Sequence, residues 1–139
     1  MSQEGLLNAL RGVLGYTDAQ WEAWKSNPRN LEVAQRLGDF QKYKVVAEVV
    51  SSYGCAAGHK TGDKIVFGAD GTLLTQESPE KVCFGALSPL NNYLLLVFEK
   101  ISSGQDPTKI LFNKAHCVDV GVEKGGWGEV VLEIRVEKV

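Results

Sequence analysis

Three cysteines and two histidines carry most of the chemistry open to this sequence: Cys55, Cys83 and Cys117, with His59 and His116. Cys55 and His59 fall four apart in the run GCAAGHKTGDKIVF, from Gly54 to Phe67. Gly54 and Gly58 allow that run to turn sharply and aim two side chains at one point. Three thiolates and one imidazole form a standard tetrahedral zinc set. Cys55, His59, Cys83 and Cys117 are therefore candidate metal ligands, although strong zinc signatures have two close ligand pairs and this sequence has one. A second reading makes Cys55 a nucleophile, with His59 as its base, Asp63 orienting the imidazole and Lys60 favouring the thiolate. A third treats the cysteines as inert small hydrophobes, a residue type often found buried.

Other chemistry is sparse. His116 and Cys117 are neighbours in a stretch that reads as a strand, so they point to opposite faces and at most one can join a shared site. Cys117 shares its face with Asp119; His116 is expected to be packed or at a solvent edge. Trp127, in Gly125-Gly-Trp-Gly128, is expected to fold back from a hairpin loop onto the sheet, the alternative being an exposed binding anchor. Neither GxxxxGK[ST] nor GxGxxG occurs, and no carboxylate pair is placed for acid/base work.

The elements that position these residues are legible from period and caps. Leu6, Leu7, Leu10, Val13 and Leu14 recur on one helical face, and Thr17-Asp-Ala-Gln20 has the form of a capping box. Trp21 and Trp24 share a face of the helix that follows. Asn27-Pro28 opens a third helix presenting Leu31, Val33, Ala34 and Leu37, with Gly38 expected to stop it. From Tyr43 the period becomes two, and Asp63 to Phe67 reads as a second strand ahead of a turn at Ala69-Asp-Gly71. Cys83 falls in a turn-like segment. Ser88-Pro89 opens a helix of about fourteen residues with Leu90, Tyr93, Leu94, Val97, Phe98 and Ile101 on one face. Ile110 to Val120 and Glu129 to Val139 read as strands. The expected fold is α+β: a small, mostly antiparallel sheet or partly closed barrel with one packed helix. Residues 1–38 form a helical extension and 39–139 the β-rich core.

Composition sets limits. The chain has 139 residues, 44% hydrophobic and 23% charged, as in an ordinary globular domain. Its formal charge is −2 with no Lys/Arg block, so no nucleic-acid or anionic-membrane partner is expected. MSQEGLLNALRGVLG lacks the features of a secretory signal, and the apolar run Tyr93 to Phe98 is too short to span a bilayer. An odd, widely spaced cysteine count fits a reducing cytoplasm.

Three motifs carry a family resemblance: Cys55-x-x-Gly-His-Lys-x-Gly-Asp63, Val82-Cys-Phe-x-Ala-Leu-x-Pro-Leu90, and Cys117-x-Asp-x-Gly-Val122 with Gly-Gly-Trp-Gly-Glu129. Together they resemble a small, functionally uncharacterised prokaryotic family seen mainly in anaerobes, over roughly Tyr43 to Lys138. All three cysteines fall inside the motifs, and the resemblance implies the same four ligands. An anaerobic setting adds iron or an iron–sulfur cluster as alternatives to zinc, with no metal at all as the remaining case. The resulting expectation is a small cytoplasmic metal-binding protein, an accessory subunit or partner of a larger enzyme in anaerobic metabolism, or a homo-oligomer. The alternatives are a Cys55/His59 enzyme and a metal-free ligand-binding or structural β module.

Overall fold

The computed structural model describes residues 2–139. Three helices lead the chain: α1 (Gln3–Leu14), α2 (Asp18–Lys25) and α3 (Pro28–Ala34). Each begins at the cap its sequence supplies. Ser2 accepts the Gly5 N–H, and Thr17 and Gln20 bond reciprocally. The Asn27 side chain accepts the Arg29 N–H just ahead of Pro28.

Trp21 and Trp24 stack with ring centroids 5.1 Å apart, and Arg11 and Lys25 place their cations over the Trp21 ring. Trp21 is thereby buried within the extension. One expectation fails here. α3 ends at Ala34, and Gly38 lies inside a 3-10 turn, Leu37–Lys42, without a left-handed φ. The tighter turn directs Phe40 inward, where its ring lies 4.7 Å from that of Phe98.

The core is one open four-stranded antiparallel sheet in the order β2-β1-β4-β3, not a barrel. Its strands are β1 (Tyr43–Tyr53), β2 (Lys64–Gly68), β3 (Lys114–His116) and β4 (Glu129–Lys138). Period-two patterning gives it two faces. Val45, Ala47 and Val49 lie opposite Val136, Ile134 and Leu132, and with Ile65, Phe67 and Ala115 they form the buried face. Helix α5 (Leu90–Ser102) covers that face with Leu90, Val97 and Ile101. The opposite face is a lattice of ion pairs. Arg135 bonds Glu137 at 2.8 Å and Glu48 at 3.0 Å, and Lys114 pairs with Glu133 at 3.1 Å. Val46 and Val66 are buried on this same charged side.

Both outer edges of the sheet are guarded, as isolated edges need to be. The β2 edge bonds to the segment that follows it: Leu74 N–H donates to Val66 O, and Ser78 Oγ accepts the Val66 N–H. At the β3 edge the Tyr93 hydroxyl donates to Lys114 O, and Val118 N–H donates to Gly85 O.

The strand expected over Ile110 to Val120 is only three residues long. Cys117 N–H still donates to Val130 O, but Val130 N–H turns to the Cys117 sulfur, so a side chain replaces the next ladder bond. Cys83, expected in a turn, instead N-caps a four-residue helix, α4 (Phe84–Leu87). No described helix is long and apolar enough to cross a membrane.

Candidate functional site

A β-bulge in β1, between Val49 and Ser51, brings Ser52 opposite Val130 of the buried face. From there the Ser52 hydroxyl donates to His59 O at 2.7 Å, tying down the Cys55–His59 loop. Gly54 and Gly58 both take left-handed φ, as the turn requires. The loop closes back onto β1 when Gly62 N–H donates to Val49 O. Asp63 accepts the Lys60 N–H at 3.1 Å and so shapes the turn, with no bond to the His59 imidazole.

His59 is 5% exposed, and its Nε2 accepts the Cys83 N–H at 3.0 Å. A ring nitrogen accepting that bond carries no proton, which places the neutral ring's proton on Nδ1. The same bond joins the Cys55 loop to α4. Cys83 Sγ accepts the Gly85 N–H at 3.3 Å, and Cys117 Sγ accepts the Val130 N–H, also at 3.3 Å. All three thiols are free and half-buried.

Cys55, His59, Cys83 and Cys117 thus line one cavity of about 420 Å³. His116 stays outside it. Its imidazole is exposed and bonds Glu129 at 2.9 Å, which, with the Cys117 carbonyl, raises its pKa above the ordinary imidazole value. The four expected ligands share a cavity without yet closing on a point. Among the described residues, no three His, Cys, Asp or Glu side chains are gathered tightly enough to hold an ion.

The opposite wall depends on Asp119. Its carboxylate accepts N–H bonds from Gly121 at 3.1 Å, Trp127 at 3.0 Å and Gly128 at 2.9 Å. The Gly121 amide, together with those of Trp127 and Gly128, holds the Asp119 carboxyl below its usual range. The 119–128 loop is thereby shaped from inside. Beyond it, the backbone at Gly128 presses on Gly54: a side chain at Gly54 would meet Trp127 O at 2.5 Å and Gly128 Cα at 3.0 Å. With its main chain pinned on both sides, Trp127 does not fold back onto the sheet as expected. It is 79% exposed at the cavity mouth, and Phe84 is 78% exposed along the same cavity.

Replacing Asp119 with alanine is expected to free this loop. Limited proteolysis should then cut within 119–128, and the Trp127 contribution to fluorescence anisotropy should fall. In the parent protein, because the folded carboxyl titrates below its unfolded value, the bonds stabilise the loop above the unfolded carboxylate range and fail as pH drops through the lowered value.

Sequence reasoning missed Asp119 and Phe84 as parts of the site. Asp119-x-Gly121 carries an Asx-turn signal that could have found the first; nothing local marks the second. Fold and site together define an α+β domain with an open antiparallel sheet and a thiol-lined cavity at one end. No protein-family model matches the chain, and no curated protein or solved structure is detectably similar to it.

Proposed function

We propose that the protein binds a soft metal cation in this cavity through Cys55, His59, Cys83 and Cys117, with zinc the first choice and iron or an iron–sulfur cluster the alternatives. The observation that carries the reading is that four donors from three separate chain segments line one cavity. Two further features support it. Backbone N–H groups point at two of the sulfurs, the kind of donor a ligating thiolate accepts. The lining also contains two carboxylates, Asp119 and Glu129, and neither Lys nor Arg, so its charge suits a cation. Cys55, Cys83, Cys117 and His59 would hold the ion, and His59 Nε2 would have to give up the Cys83 N–H to join them.

The role we infer is that of an accessory subunit. Helix α1 buries none of its residues, and Val13 is 85% exposed beside a groove of about 430 Å³ that Leu6, Leu10 and Phe40 help to line. This apolar side is the surface suited to a larger enzyme.

Anaerobic titration with Co²⁺ tests the site. One ion per chain should bind with the visible bands of tetrahedral coordination and a thiolate charge-transfer band in the near ultraviolet. Cys83→Ser and Cys117→Ser should each weaken binding by roughly 100-fold or more. Absence of these bands, with all three thiols titrating freely, overturns the proposal.

A further inference from the structure

The mouth of the thiol cavity is built for more than an ion. Trp127 and Phe84 stand there almost fully exposed, with Val118 also on the wall and also exposed. Neither aromatic residue belongs to a loose segment. The Trp127 backbone is fixed by Asp119 and by the Gly54–Gly128 contact. Phe84 opens α4 directly after its capping residue, Cys83. Two large apolar rings held out in water by a fixed backbone offer a preformed surface whose burial would be favourable.

The space suits a small molecule. About 420 Å³ falls within the range of ligand pockets and far exceeds the roughly 30 Å³ share of one water, so an ion on the floor leaves most of it free. Charge narrows the class. The lining holds no Lys or Arg to attract an anion. Its two carboxylates are already engaged, Asp119 by three amides and Glu129 by His116. Both stay negative and so repel an anion, but with their partners already in place the surface left open to an organic ligand is the aromatic one.

We propose that the cavity binds a small uncharged aromatic molecule, seated against Trp127 and Phe84, beside the thiol floor and independently of any metal there. The test uses the full chain, both as purified and after treatment with chelator and reductant. The probe is 2-naphthol, and 2-naphthoate supplies the same ring with a negative charge. Calorimetry should show saturable one-to-one binding of 2-naphthol in both preparations. Naphthoate should bind at least about tenfold more weakly. Trp127→Ala and Phe84→Ala should each weaken 2-naphthol binding by roughly tenfold, with thermal unfolding unchanged because both side chains are exposed. The proposal is overturned if 2-naphthol does not saturate, if neither variant weakens it, or if naphthoate binds equally well. Since chelated protein is included, failure here is distinct from failure of the Co²⁺ titration.

Discussion

Replacing Gly128 with alanine is expected to lower the free energy of unfolding by about 3 kcal/mol, read from urea titrations. The reason is contact, not backbone conformation. A Cβ at Gly128 would collide with the carbonyl oxygens of Tyr53 and Gly54, and would lie 2.5 Å from the Gly54 carbonyl carbon. Those are backbone atoms at the end of β1, so no side chain can swing aside to make room. Relief requires the 119–128 loop to lift away from the Cys55 loop, separating the two walls of the cavity. Affinity for Co²⁺ should therefore fall along with stability. Gly125→Ala provides the comparison: its φ is +90° but nothing lies within 4 Å of a Cβ there, so only conformational strain of about 1–2 kcal/mol is expected. Equal losses in the two variants would mean that the loops do not touch as described.

The second large effect belongs to the core. Leu132→Ala should cost about 4 kcal/mol, within the range for truncating a fully enclosed leucine. Leu132 is wholly buried at the centre of the sheet, opposite Val49 on one side and Ala115 on the other. Its neighbours are strands on both sides and α5 above, none of which can collapse into the gap without breaking register. Val131→Ala, one residue away on the charged face, should cost less than about 1 kcal/mol. A reversed order would place the buried face on the wrong side of the sheet.

Much of this architecture was legible from the residues. The capping box at Thr17, Asn27-Pro28, and the alternation in β1 and β4 each depend on neighbours within a few positions, and each appears where expected. What failed depended on distant partners. Gly38 resembled a helix stop, but the chain turns earlier because Phe40 has to reach Phe98. Trp127 resembled a residue that folds inward; its direction is set by Asp119, eight positions away, and by Gly54 in the loop that follows β1. The four donors could be named from their chemistry, whereas their meeting in one cavity depends on the bulge in β1, the cap at Cys83 and the side-chain bond at Cys117. None of these leaves a periodic trace.

The order of the strands also bears on how the protein assembles. β1 and β4 are neighbours at the centre of the sheet, yet they come from opposite ends of the core, with Tyr43 opposite Lys138 and Tyr53 opposite Glu129. Closing so long a loop is slow compared with forming the local β1–β2 pair. Cys55 and His59 thus come together early, on a hairpin, while Cys117 is seated only when the last strand docks. An ion arriving in mid-folding would meet a two-donor fragment, which holds it weakly. If the proposed site takes up metal, loading would accordingly follow folding, and the finished polypeptide, rather than the nascent one, would be the species that acquires the ion.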